Sequence, residues 1–246
     1  MPGTLVGTSG WSYEHWRGGF YPDGVKPADR LRFYATKLPT VEIDATFYRL
    51  PSEKAVLAWR EAVPPGFAFA VKGSRLITHF RRLREVDEAG DGFMQRLALL
   101  GETLQVVLWQ LPADLTRDDA LLDTFLSRVG RGVRHAVEFR HVSWLAPETF
   151  EVLRAHGAAH VHVSSGDMPV DLTPTAVFVY VRFHDTVTYH GRYLEPALRP
   201  WAEFLREQAE AGRDAYVYFN NDEGGHAPLD AARLTAMLKR GVRTPG

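Results

Sequence analysis

The stretch Val177-Phe178-Val179-Tyr180-Val181-Arg182-Phe183-His184 decides the fold. Side chains on a strand alternate faces. One face of this stretch carries Val179, Val181 and Phe183, and the other carries Tyr180, Arg182 and His184. That pairing fits the wall of a parallel barrel, where one set packs under helices and the other points into the lumen. Working outward, the pattern recurs. Ala215–Asn220 places Val217 and Phe219 outward and Tyr216, Tyr218 and Asn220 inward. His135–Arg140 places Val137 and Phe139 outward and Glu138 and Arg140 inward. His160–Ser164 reads as Val161 and Val163 outward, with His160, His162 and Ser164 inward. Further strands are expected at Leu5–Ser9, Val41–Asp44, Phe67–Lys72 and Leu104–Gln110.

Helical patterns fall between the strands, at Pro27–Lys37, Glu53–Ala62, Phe93–Leu100, Asp118–Val129, Pro147–His156, Pro200–Ala211 and Asp230–Lys239. Pro27, Pro147 and Pro200 suit first-turn positions. Ser52 and Asp230 suit caps, and Gly157 and Gly212 suit C-terminal stops. Eight strands alternating with helices predict an α/β fold, a single (β/α)8 TIM-type barrel over residues 1–246. One unit, near strand six, is expected to be irregular, because Gly166-Asp167-Met168-Pro169-Val170-Asp171 is too polar and broken for a helix. An open doubly wound sheet is the competing architecture.

The chain of 246 residues contains no cysteine, which excludes disulfides, thiolate metal sites and a cysteine nucleophile. Its net charge of −1 excludes a global basic field for nucleic acid. No apolar run reaches the roughly 18 residues of a membrane span, and the first residues lack a basic leader, so a cytoplasmic protein without membrane contact is expected.

The inward set ends in a polar residue on nearly every strand, at the end where barrel active sites lie. Glu138, Asp44 and His184 are the candidate catalytic groups. Lys72, Gln110, Arg140, Arg182, Asn220 and Asp222 are candidate substrate-binding groups, with Trp11 and Tyr48 as rim aromatics. An internal ion network is the alternative for the same ring, for example Glu42 with Lys72 and Glu138 with Arg182. His160 and His162, with Glu138, His184 or Asp222, compose a nitrogen and oxygen set that suits a divalent metal. No dinucleotide or phosphate-loop motif is visible.

Several motifs together resemble a known family. They are Gly7-Thr8-Ser9-Gly10-Trp11-Ser12-Tyr13 with Phe20-Tyr21-Pro22, Val41-Glu42-Ile43 with Thr46-Phe47-Tyr48, and Phe69-Ala70-Val71-Lys72 with Ile77-Thr78-His79. Gln110-Leu111-Pro112, Val137-Glu138-Phe139-Arg140-His141, Tyr180-Val181-Arg182-Phe183-His184 and Tyr218-Phe219-Asn220-Asn221-Asp222 complete the set. They resemble the YecE-like family, domain of unknown function 72, over nearly the whole chain. The resemblance implies a (β/α)8 barrel and no established activity. It also implies a fold-level likeness to metal-dependent barrel nucleases. This chain departs from the family pattern at Asp44-Ala45, where Asn-Ser is usual, and at Phe183-His184-Asp185, where Leu-His-Gly is common.

The expected function is a hydrolase or lyase acting on a polar, phosphorylated or sugar-containing small molecule, with Glu138 as principal acid or base. The alternative is a non-catalytic binder of nucleic acid or nucleotides that uses the basic loop 75–84 and the rim aromatics.

Overall fold

The computed structural model describes residues 3–130, 132–184 and 191–240. Among these, eight parallel strands close into a barrel in chain order. They are β1 (Thr4–Ser9), β2 (Thr40–Ile43), β3 (Ala68–Lys72), β4 (Leu104–Gln110), β5 (Arg134–Glu138), β6 (Ala159–Ser164), β7 (Phe178–Phe183) and β8 (Asp214–Phe219). Pairing of Thr4–Thr8 with Ala215–Phe219 closes the ring. The helices are α1 (Arg30–Ala35), α2 (Ala45–Tyr48), α3 (Glu53–Ala62), α4 (Asp87–Ala98), α5 (Asp119–Arg128), α6 (Pro147–Ala155), α7 (Glu195–Glu210) and α8 (His226–Arg240). None of the helices among the described residues is long and apolar enough to cross a membrane.

The lumen is filled by complementary bulk. Ala68 and Ala70 on β3, Ala136 on β5 and Ala159 on β6 are small, and they share one buried cluster with Phe178, Tyr180, Tyr216 and Tyr218 from β7 and β8. Large side chains from one wall therefore occupy the space left by small ones on the other, which is how a closed core reaches native density. Gly7 belongs to this economy, because a Cβ there would lie 2.0 Å from the Thr40 carbonyl oxygen. The outward residues, Val41, Val71, Trp109, Val137, Val181 and Val217 among them, form the larger cluster beneath the helices.

β6 departs from expectation. Ala159, Val161 and Val163 line the lumen, so His160 and His162 face outward, the reverse of the expected register. The reason lies in the irregular unit. Residues 165–177 contain no helix and fold back over the outer face of β6. That segment supplies polar partners: the His162 Nδ1–H donates to the Asp171 carbonyl at 2.9 Å, and the His160 amide donates to Thr175 Oγ1 at 2.7 Å. The rings pack on Phe150 and Phe204, with centroids 4.9 and 5.0 Å away. A polar cover made an outward histidine look like a lumen residue.

Three helix boundaries also shift. α4 starts at Asp87 rather than Phe93, since Gly90 and Gly92 obscure its apolar periodicity while Asp87 and Glu88 suit its first turn. α7 starts at Glu195 with Pro196 in the first turn, so Pro200 lies inside the helix. α8 starts at His226, and Asp230 is not its cap. Asp230 is fully buried within α8, where it accepts from the Tyr193 amide at 2.8 Å and Asn221 Nδ2 at 2.9 Å.

Candidate functional site

The C-terminal mouth of the barrel has a floor and a rim. The floor is built on Arg182, which β7 carries into the lumen fully buried. Its Nη1 donates to Glu138 Oε2 at 2.6 Å, and its Nη2 donates to Glu42 Oε1 at 2.7 Å. Ser9 donates to the same Glu42 oxygen, and the Tyr180 hydroxyl donates to the other at 2.6 Å. Glu138 also accepts from Arg140 Nε at 2.5 Å and Gln110 Nε2 at 3.2 Å. Strands β1, β2, β4 and β5 thus each place one group, and β7 two, in a single network.

Both glutamates are fully buried, and burial works against their ionisation. The Arg182 guanidinium overcomes that cost and holds both carboxyls below their ordinary range, Glu138 well below. Such a network is rigid because each missing partner would strand a buried charge.

The rim holds Asp44, Lys72, Arg140, His184, Asn220 and Asp222. His184 Nε2 faces Arg140 Nη2 at 3.1 Å, and its Nδ1 faces the Asn220 amide at 3.2 Å. Burial lowers its pKa, and the two neighbouring guanidiniums add to that. A neutral ring accepting from Arg140 carries its proton on Nδ1, which requires the Asn220 amide oxygen to face it. Asp222 stands at the end of β8, where His15 Nε2 lies 3.6 Å from its carboxylate.

Asp44 ends β2 with its side chain 23 % exposed and Oδ1 3.9 Å from Arg182 Nη2. That oxygen is buried and has no hydrogen-bond partner among the described residues. Burial first, and the adjacent Glu42 charge second, push its pKa up to about 7. The folded protein binds this proton more tightly than the unfolded chain, so stability is lost as pH rises from about 4 to about 7, and acid restores it. Asp44→Asn is expected to exceed wild type at pH 8 by up to roughly 4 kcal/mol in chemical unfolding, with the gap closing towards pH 4. Equal stability at pH 8 would contradict this.

Lys72 is placed by two local devices. The Thr46 hydroxyl reaches the Ile43 and Lys72 carbonyls at 2.9 and 2.7 Å, tying the end of β2 to the end of β3. Gly73 then lies so close to β4 that a Cβ would meet the Trp109 ring at 2.2 Å. The Lys72 ammonium lies 4.4 Å from the centroid of Phe47, and no described carboxylate pairs with it. Burial lowers its pKa, and the Arg182 charge lowers it further.

The structure brings together Glu138, Asp44, Lys72, Gln110, Arg140, Arg182, His184 and Asn220. Trp11 packs edge-on against Trp59 of α3, with ring centroids 5.8 Å apart. Tyr48 is 67 % exposed, and the Arg75 guanidinium lies 5.3 Å from its ring and 5.5 Å from that of Phe80. The outward placement of His160 and His162 removes them from the mouth and dissolves the metal set expected around them. Among the described residues no group of three or more His, Asp or Glu side chains is arranged to hold a metal ion. Asp185 lies outside the described residues. Sequence reasoning did not single out Ser9 and Tyr180 as site residues, although the lumen parity of Tyr180 was a usable signal, and it paired Glu42 with Lys72 where the structure pairs it with Arg182. Tyr13, which ends the opening motif, donates its hydroxyl to the Ser9 carbonyl at 3.0 Å.

A sequence profile described as "Protein of unknown function DUF72" matches residues 5–245. The chain belongs to the DUF72 family. UPF0759 protein YunF of Bacillus subtilis is 26% identical to this DUF72 chain over 95% of the chain and 94% of YunF. UPF0759 protein YecE of Escherichia coli is 31% identical over 57% of the chain and 50% of YecE. The crystal structure of a DUF72 family protein from Thermotoga maritima superposes with a TM-score of 0.85 at 30% identity, covering 96% of this chain and 99% of that one. The fold of this DUF72 chain is thus shared with that solved member over nearly its whole length.

Proposed function

We propose that the barrel mouth is an active site for a small anionic molecule, phosphorylated or sugar-containing, and that the chemistry is that of a hydrolase or lyase. The observation that carries this reading is an amine that pairs with no carboxylate among the described residues, Lys72, beside a carboxyl poised near neutrality, Asp44, above a floor whose charges pair with one another and with Arg140. Matched charges serve structure, whereas groups left available at a barrel mouth suit ligands.

The roles differ from those first expected. Both oxygens of Glu138 accept from cations, and its carboxyl stays ionised, so it suits positioning Arg140 rather than carrying a proton. Arg182 is closed off by the two glutamates, which leaves Lys72 and Arg140 to hold an anion. Asp44 is the proton carrier, since a pKa near working pH is what general acid–base transfer needs.

The test is thermal melting with inorganic phosphate and sugar phosphates. Stabilisation by about 3 °C at tenfold excess over Kd is expected, and it is lost in Lys72→Met. A wild-type melting point unmoved by every anion, or an equal shift in the variant, defeats the reading. With a substrate in hand, Asp44→Asn is expected to lower kcat by about 10²–10⁴.

A second reading has its own observation. Arg75 stacked between exposed Tyr48 and Phe80 suits bases of single-stranded nucleic acid. Its neighbours weaken it, because Arg82 pairs with Asp114 at 2.9 Å and Arg84 with Asp118 at 3.5 Å. Tyr48→Ala with Phe80→Ala is expected to abolish retention on single-stranded DNA if this surface binds it, and equal retention excludes the surface.

A further inference from the structure

Lys72 differs from every other lysine of the chain. The chain has five, and Lys26, Lys37, Lys54 and Lys239 are all exposed. Lys72 alone is drawn into the protein, at the C-terminal end of a barrel strand, with its Nζ against the Phe47 ring. Asp44 and Glu42 reach it electrostatically from β2, Glu138 from β5 and Arg182 from β7. His79, edge-on to Phe47 at 5.0 Å, faces it from the π-helical turn Leu76–Phe80. An ammonium that served only to balance charge would lie in contact with a carboxylate, and no described carboxylate pairs with it.

We infer that Lys72 forms an imine with the aldehyde or ketone carbonyl of an anionic substrate, with Asp44 as the proton carrier for that step. This rests on the reading of the mouth given above. The neutral Nζ adds to the carbonyl carbon, and the carbonyl π pair moves to oxygen, which takes a proton. Nζ loses a proton to the Asp44 carboxylate. Asp44 then returns a proton to the hydroxyl, water leaves, and the nitrogen lone pair closes the C=N bond. The cationic imine withdraws electrons from the adjacent carbon, so a C–H or C–C bond there can break, and hydrolysis later restores the amine. No external oxidant or reductant enters.

Burial and the Arg182 charge both favour the neutral amine. The four exposed lysines therefore act as internal controls.

The experiment is reductive trapping at pH 7. The intact protein is incubated with glycolaldehyde phosphate, or with uncharged glycolaldehyde, and sodium cyanoborohydride, and each lysine is quantified by peptide mass spectrometry. Lys72 is expected to be labelled at least tenfold faster than any exposed lysine, faster with the phosphorylated aldehyde, and more slowly in Asp44→Asn. Lys72→Arg is expected to remove the fast phase while melting within a few degrees of wild type. Labelling of Lys72 no faster than of the surface lysines overturns the inference. If phosphate still stabilises the protein in that case, only the imine fails. If neither labelling nor stabilisation occurs, the reading of the mouth fails with it.

Discussion

Arg182→Gln is expected to cost the protein about 4 kcal/mol or more, because it strands the buried Glu42 carboxylate and leaves buried Glu138 with Arg140 alone. Glu42 and Glu138 are fully buried and lie 2.7 and 2.6 Å from the two ends of one guanidinium. Proteins of this size retain only about 5–15 kcal/mol of net stability, so the loss takes a large share of it. Melting is expected to fall by about 10 °C. The variant should also invert its response to pH. Without Arg182 the buried Glu42 prefers its neutral form, so its folded pKa rises above the unfolded one, and stability is lost as pH rises from the unfolded to the folded value, while Glu138 keeps Arg140 as counterion. Acid then rescues the variant over the range in which Glu42 becomes protonated. Adding Glu42→Gln and Glu138→Gln is expected to return most of the loss at pH 7.5, since three neutral amides need no counterions. Urea unfolding of the single and triple variants checks both statements, and a single variant as stable as wild type would show that the floor is not held by charge.

The second large effect comes from His160 and His162, whose burial keeps them neutral and lowers them to about 3 and about 4. An unfolded histidine titrates near 6.5. These folded values lie below the unfolded one, so the stability the pair provides is fully present above pH 6.5 and is lost as pH falls towards 4. A tenfold difference in proton affinity is about 1.4 kcal/mol, so by pH 4.5 the pair withdraws roughly 5 kcal/mol. Asp44 moves the other way over the same window, because protonation favours the folded state there. Unfolding followed from pH 7.5 to 4.5 in Asp44→Asn therefore removes the opposing carboxyl, and comparing it with the same variant carrying His160→Asn and His162→Asn separates the pair from His135 and His184, which burial also lowers. The imidazole resonances of the pair are expected to stay neutral down to pH 5. Titration near 6.5, or a flat stability profile, would contradict the account.

Strand parity made most of the barrel and its mouth legible in advance. Val137 and Phe139 against Glu138 and Arg140 gave the right faces for β5, and Tyr180 and Arg182 did so for β7. Parity failed on β6 because polarity reports what covers a side chain, not which way it points. A loop that offers a carbonyl to His162 makes the outer face as hospitable to imidazole as the lumen. The ring of polar residues was visible, but its division into floor and rim was not. That division depends on which carboxylate each guanidinium reaches, and Glu42 pairs with Arg182 rather than with Lys72. α7 and α8 were recognised as helices and misplaced at their starts, since Pro200 and Asp230 are ambiguous without tertiary contacts.

The aromatic plug beneath the floor has a practical consequence for anyone measuring this protein. The phenols of Tyr180 and Tyr218 are fully buried, and burial pushes both well above their ordinary range. The two glutamates are pinned in the opposite direction. These phenols and glutamates of the floor and plug are consequently silent to protons across the neutral range. An inflection in a rate or affinity profile between pH 5 and 9 at the barrel mouth then belongs to the rim above them, and the curve can be assigned by substituting Asp44, Lys72 or His184 in turn.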